Sequence, residues 1–314
     1  MNCSPAPVTQ ALQPCVLGLR TLLAALLLAA ATGSVSAAEP TRIHDVVYGR
    51  KSGMALTMDV LKPEKPSGIG VIFMLSGGFH SDISMAGPAG FTGEVFQPFL
   101  KRGQTVFLVC HGSQPKFFVP EILSDIHRAV RFIRTHAADY GVDPNRLGIT
   151  GASSGGYLSI AMGTGLARPA EPPSPDAVDK ASSEVQAVAC FFPPTDLVDY
   201  GEPGRFFNQF EPVKFVWHTI PVTGKSREEQ QEILKGLSPL SAVTEKSAPT
   251  FIITGDNDAL VPHEQSERFI AALKEKKVVT RLDMRPGAGH GWPEIAKDFG
   301  LFAEWFDEQL GKKE

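Results

Sequence analysis

The stretch that most constrains this chain runs from Arg146 to Ile160 and reads RLGITGASSGGYLSI. A compact apolar strand signal, Leu147 to Thr150, leads straight into Gly-X-Ser-X-Gly. A small and apolar run ending in Leu158-Ser159-Ile160-Ala161-Met162 follows and is competent to form a helix. Strand, glycine-flanked serine and helix in so short a span make a tight elbow with Ser153 at its tip. Gly151 and Gly155 are required because side chains there would collide across the turn. The Ser154 N–H, at the helix start, faces negative charge growing on a bound carbonyl oxygen. A Gly/Ser-rich loop without chemistry gives the same five-residue pattern. The flanking strand and helix are what favour a nucleophile.

The rest of the chain supplies a framework for such an elbow. Asp45-Val46-Val47-Tyr48 and Leu56 to Leu61 read as a hairpin-like start, turned at Lys51-Ser52-Gly53. Val71 to Leu75, Thr105 to Cys110, Val185 to Phe192, Thr250 to Thr254 and Val278 to Met284 are further strands. The central ones are apolar without alternation, as expected for strands covered on both faces. Helices are expected between them. One opens at Pro120, with Ile122, Ile126, Ala129, Val130, Ile133 and Ala137 on one face, and ends at Gly141. Asp143-Pro144-Asn145 then turns the chain into the elbow strand. Another spans Pro262 to Lys276 with Ser266, Phe269, Ile270 and Leu273 inward. The last sets Ile295, Phe299, Phe302 and Phe306 on one face. Strands alternating with helices define one α/β domain over 39–314, with a mostly parallel central sheet and helices on both faces. Arg168 to Ser183 is a proline-rich excursion. Residues 199–244 lack strand periodicity but hold Phe206, Phe207, Phe210, Phe215 and Trp217. They read as a lid or specificity insert, or as packing against the core.

The first forty residues differ from the rest. Arg20 precedes the apolar run Thr21 to Ala31, and small residues, Ser34 to Ala38, come before Glu39-Pro40. This is the form of an export signal occupying 1–38, with a core short for a membrane span. The expected location is the periplasm or the exterior; the alternative is tethering by an uncleaved segment. Cleavage would remove Arg20 and no acid, moving the formal charge from -4 to -5. Such a protein has no electrostatic reason to hold nucleic acid. Cys110 and Cys190 would remain, each closing a separate strand, and are expected as free thiols rather than a disulfide.

A serine hydroxyl needs a base within reach and a third group to fix that base's tautomer. In an open α/β sheet such groups gather beyond the carboxyl ends of the strands. His290, in the glycine-rich loop after the last strand, is the favoured base; His80 and His111 also follow strand ends and would line the pocket. Asp258 is favoured as the acid over Asp256, which is placed to hold its own turn. Asp196 and Asp199 are weaker rivals. The turn Gly77-Gly78-Phe79 offers backbone donors, so Gly78 or Phe79 would share an oxyanion with Ser154. Trp217 and Trp292 are candidate pocket walls. Ser153, Asp258 and His290 thus occur in the order nucleophile, acid, base, which suits acyl transfer.

These motifs resemble the α/β-hydrolase superfamily. More closely, the chain is similar to secreted esterases related to bacterial feruloyl and acetylxylan esterases and to hormone-sensitive-lipase-like carboxylesterases. The resemblance runs from about Asp45 to Leu310. It rests on Ser76-Gly77-Gly78-Phe79, on Asp125 with Ala129 to Arg134, on Tyr140 to Arg146 and on Gly151 to Gly156. Leu237-Ser238-Pro239, Gly255 to Asp258 with Val261-Pro262, and Gly289-His290-Gly291 complete it. The resemblance implies the α/β-hydrolase fold and a serine esterase whose acid is Asp258. Three positions depart from the pattern: Ser76 stands where such enzymes usually have His, Phe79 where they have the third Gly of the turn, and Ser154 where they have Ala after the nucleophile. The expected substrate is a small-molecule or carbohydrate ester, such as an acetylated or feruloylated polysaccharide. A peptidase or amidase of the same fold, and a secreted binding protein without turnover, are the competing readings. There is no metal-site spacing, dinucleotide motif or phosphate loop, so no cofactor is implied. No obligate protein partner is indicated.

Overall fold

In the order in which the strands lie side by side, the sheet reads β1-β2-β4-β3-β5-β6-β7-β8. The strands are β1 (Thr41–Lys51), β2 (Met54–Lys62), β3 (Gly68–Met74), β4 (Thr105–Val109), β5 (Val142–Ala152), β6 (Ala187–Phe191), β7 (Thr250–Gly255) and β8 (Thr280–Arg285). The structure is a computed structural model that describes residues 40–87, 93–167 and 176–311. The export signal expected at 1–38 lies outside these residues, as do residues 168–175 of the proline-rich excursion. Strands β1 and β2 form the antiparallel hairpin, and β2 runs antiparallel to β4. From β4 through β8 every neighbouring pair is parallel.

The chain passes from β3 outward to β4, then returns to lay β5 on the other side of β3. That reversal opens a crevice beyond the carboxyl ends of β3 and β5, where ligands bind in sheets of this kind. The elbow follows β5 and the Ser76–Phe79 turn follows β3, so topology alone brings the two to one crevice.

Consecutive residues of the central strands feed two separate cores. Ile72, Met74, Phe107 and Val109 face one side; Val71, Phe73, Val106 and Leu108 face the other. The first side is covered by α2 (Val119–Thr135), α3 (Ser154–Thr164) and α6 (Glu264–Glu275). The second is covered by α1 (Gly93–Lys101) and α7 (Ile295–Leu310), where Phe73 lies 5.4 Å from Phe299 between ring centroids. Fully burying each such side chain is worth about 1.5–3 kcal/mol, which explains the unbroken apolar runs.

Some elements differ from the sequence reading. Helix α2 stops at Thr135, not at Gly141. The His136 ring stacks on Phe132 at 4.1 Å and its backbone leaves helical geometry. A 3₁₀ turn, Ala137–Tyr140, then ends at Gly141 in the left-handed region. Asp143-Pro144-Asn145 is a bulge within β5: Gly68 pairs with Val142 and Gly70 with Leu147. Strand β8 is only half-buried, because it is the sheet's edge.

Cys110 and Cys190 are both free thiols. They lie at the ends of β4 and β6, with β3 and β5 between them, and strands about 4.8 Å apart put them beyond disulfide reach. Burial pushes the Cys110 thiol up to about 11, so neither geometry nor acidity favours thiol chemistry there. Residues 199–244 form 3₁₀ turns, Phe207–Gln209, Glu211–Thr219 and Pro239–Ala242, and helix α5 (Arg227–Gly236). The short helix α4 (Ala177–Lys180) precedes β6. Among the described residues no helix is long and apolar enough to cross a membrane.

Candidate active site

The elbow forms because its glycines allow the backbone to touch itself. A Cβ on Gly151 would come within 2.6 Å of the Gly155 carbonyl. Ser153 sits at φ 56°, ψ -119°, a region that L-residues with side chains avoid at a cost of about 1–3 kcal/mol. Two backbone bonds hold it there: Ser153 N–H donates to Phe191 O at 3.1 Å, and Tyr157 N–H donates to Ser153 O at 2.8 Å. Ser153 itself remains partly exposed.

Asp258 and His290 come from the loops after β7 and β8. These loops are pressed together: a Cβ on Gly255 would lie 2.2 Å from Ala288 O. Asn257 N–H donates to that same oxygen at 2.9 Å. Asp256 Oδ1 accepts from Gly287 N–H at 2.6 Å. Asp256 therefore ties the histidine loop to the acid loop. Asp258 Oδ1 accepts from Leu260 N–H at 2.8 Å and Val261 N–H at 3.0 Å. Its Oδ2 lies 2.7 Å from His290 Nδ1. The Asp258 side chain is fully buried, while that of His290 is 22% exposed. An acceptor-only carboxylate facing Nδ1 fixes the proton there and leaves Nε2 bare, as a base requires.

Phe192 brings this pair to the elbow. Ala152 pairs with Phe191 across β5 and β6, and Ser153 N–H donates to Phe191 O, so Phe192 directly follows the residue that holds Ser153. The Phe192 ring packs 4.4 Å from that of His290. Among the described residues His290 bonds only through Nδ1, which leaves Nε2 and the Ser153 hydroxyl unengaged; such bonds commonly tighten only with substrate present. Sequence reasoning missed Phe192, though it obeys the same rule as the others: it is the first residue past a strand end.

Across the crevice, Gly78 and Phe79 both take left-handed φ, 55° and 60°. Backbone bonds in both directions between Gly77 and His80, at 2.9 and 3.0 Å, close this turn. Phe79 N–H already has an acceptor, Ser154 Oγ at 3.1 Å. The Gly78 and Ser154 N–H groups have none among the described residues. The Phe215 ring lies over this turn, since a Cβ on Gly78 would meet it at 2.9 Å and Val216 at 3.3 Å. Phe215 is nonetheless 57% exposed. His218 Nε2 bonds Gln114 Oε1 at 2.9 Å, and Gln114 N–H donates to Phe79 O at 3.1 Å. Glu211–Thr219 is thereby moored to the turn.

The remaining pocket candidates are placed as follows. His80 is exposed and engages Gly77 through its backbone. His111 lies beneath the turn and is buried; Nδ1 is 2.9 Å from Gly112 O and Nε2 is 2.9 Å from Ser76 Oγ. Burial pulls its pKa down to about 4, and the Lys51 ammonium adds to the shift. Trp217 is half-buried, and among the described residues its Nε1 has no hydrogen-bond partner. Trp292 donates to Asp298 at 2.7 Å and packs edge-on against Phe192 at 5.9 Å. It therefore backs the ring that contacts His290.

A family model described as BD-FAE matches residues 58–273, from β2 into α6 and so including Ser153 and Asp258. The chain is 29% identical over 188 residues to the esterase LipQ of Mycobacterium tuberculosis, covering 58% of this chain and 42% of that protein. It is 24% identical to an acetylxylan esterase of Xylanibacter ruminicola, over 79% of this chain and 45% of that one. The chain thus spans about half the length, or less, of these curated relatives. Among solved structures it is similar to a truncated carbohydrate esterase from gut microbiota. That similarity has a TM-score of 0.73 at 25% identity, over 88% of this chain and 99% of that one.

Proposed function

Because this chain belongs to the BD-FAE family, we propose that it is a serine carboxylic ester hydrolase working through an acyl-enzyme on Ser153. The observation that carries the reading is the buried Asp258 bonded to His290 Nδ1, with the His290 ring packed on Phe192, next to the residue whose carbonyl holds Ser153. Ser153 Oγ attacks the ester carbonyl while His290 Nε2 takes its proton. Asp258 holds the ring and stabilises its charged form. Negative charge on the carbonyl oxygen is met by the Ser154 and Gly78 N–H groups, preorganised and therefore effective. The alcohol leaves with the proton from His290, and water repeats the cycle on the acyl-enzyme.

The proposed substrates are short-chain esters of carbohydrates, foremost acetylated polysaccharide. This extends to the chain the printed activities of an acetylxylan esterase and a carbohydrate esterase that it resembles. The exposed Phe215 ring beside the turn supplies an apolar face on which a sugar or an aromatic acyl group would stack. Residues 211–219 would then act as a specificity insert. The test is hydrolysis of p-nitrophenyl esters from acetyl to octanoyl, with acetate release from acetylated xylan. Turnover is expected to be highest on acetyl and to fall toward octanoyl. No hydrolysis of any ester would remove the proposal.

We further propose export. It rests on Arg20, the apolar run to Ala31 and the small residues to Ala38. The mass of the protein recovered outside the cytoplasm is expected to correspond to a chain beginning at Ala38 or Glu39. Recovery of the full-length chain in the cytoplasm would refute it.

A further inference from the structure

Two departures from the esterase pattern, Ser76 and Ser154, meet in space. Ser154 Oγ is 3.1 Å from Ser76 Oγ, and Ser76 Oγ is 2.9 Å from His111 Nε2. All three residues are almost fully buried, at 3%, 4% and 5% exposure. None of these contacts is between sequence neighbours, since the residues come from the ends of β3, β4 and β5.

The direction of every bond in this chain is determined. Gly112 O can only accept, so His111 Nδ1 carries the proton. The ring is neutral, because a charge at this depth is costly and Lys51 opposes it as well. Nε2 is then bare and must accept from the Ser76 hydroxyl. Ser76 Oγ, having donated, accepts from the Ser154 hydroxyl. Ser154 Oγ in turn accepts from Phe79 N–H at 3.1 Å. The bonds run one way, from Phe79 N–H to Gly112 O. The far end is itself anchored: Gly112 N–H donates to Asp125 Oδ2 at 3.0 Å, and Lys51 pairs with that carboxylate.

Phe79 is a bulky residue at left-handed φ, a conformation that persists only where its surroundings impose it. We propose that His111, Ser76 and Ser154 are positioning residues, a buried one-way relay that locks the Ser76–Phe79 turn so that Gly78 N–H stays presented to the oxyanion. The relay occupies the place where the resembling esterases carry a histidine at position 76: a serine with a histidine from the neighbouring strand takes over the support. This inference rests on the hydrolase reading above.

The test uses Ser76→Ala, Ser154→Ala, His111→Leu and the double variant Ser154→Ala with His111→Leu. Active sites are counted with a fluorophosphonate, and kcat per labelled site is measured on p-nitrophenyl acetate. Each single variant is expected to lose about 10- to 100-fold in kcat with KM little changed, as a misplaced catalytic donor does. The double variant is expected to be no worse than the poorer single one, because both cut the same chain. His111→Gln, whose amide oxygen can accept from Ser76, is expected to recover most of the loss. A merely structural role would reduce labelled sites and thermal stability while leaving kcat per site intact. That result, or losses that multiply in the double variant, would overturn the relay. An inactive wild-type protein would instead overturn the hydrolase reading, and the relay's role with it.

Discussion

Ser153→Ala is expected to lower kcat on p-nitrophenyl acetate by about 100,000-fold or more and to abolish fluorophosphonate labelling. The size follows from the absence of a substitute. Ser154, the next residue, and Ser76 also carry hydroxyls, but both are buried and both already donate and accept within the chain to His111. Water entering the site would face a base with no covalent partner to activate. Alanine keeps the elbow, since Ser153 is held by backbone bonds to Phe191 and Tyr157 and not by its side chain. Circular dichroism and melting temperature should therefore stay close to those of the parent. Residual turnover above about one part in a thousand would show that another group carries the chemistry.

Asp258→Asn is expected to cost about 10,000-fold in kcat while leaving the fold intact. The structure determines how the amide would sit. Leu260 and Val261 N–H groups both point at Oδ1, so the amide oxygen must take that place. Its NH₂ group then faces His290 Nδ1, which has to become an acceptor. The ring proton moves to Nε2, the atom that should receive the proton from Ser153. Asparagine thus inverts the tautomer without moving a heavy atom. The measurement is kcat per labelled site; a loss of less than tenfold would remove Asp258 from the proposed machinery. Asp256→Asn makes a useful contrast. Asp256 clasps Gly287 N–H and does not meet the ring, and the amide oxygen can still accept that bond.

Much of the framework could be read along the chain because local pattern and burial agree. The unalternating runs at β3, β4, β6 and β7 are buried throughout. The apolar faces of α2, α6 and α7 are the faces they bury. The elbow was legible because a strand signal before Gly151 and a helix signal after Gly155 flank the serine, and glycines there let the backbone touch itself. What the sequence concealed depends on neighbours distant along the chain. Nothing near His111 says that β3 and β5 set Ser76 and Ser154 against it. Phe192 looks like the end of a strand until its pairing partner is known. Helix α2 ends at Thr135, where His136 leaves helical geometry with its ring stacked on Phe132, which no capping rule anticipates. Residues 199–244 lack strand periodicity because, apart from helix α5, they fold into 3₁₀ segments, whose period is not that of a strand.

The three groups of the proposed triad hang from different parts of the sheet. Ser153 follows the central β5, but His290 follows β8, the edge strand and the last to leave the ribosome. A chain built only as far as β6 would possess an elbow and a turn but no base, and an unassisted serine is inert at neutral pH. On the proposed mechanism, chemical competence would certify completed folding: the newborn chain would stay silent toward surrounding esters until its final strand docks.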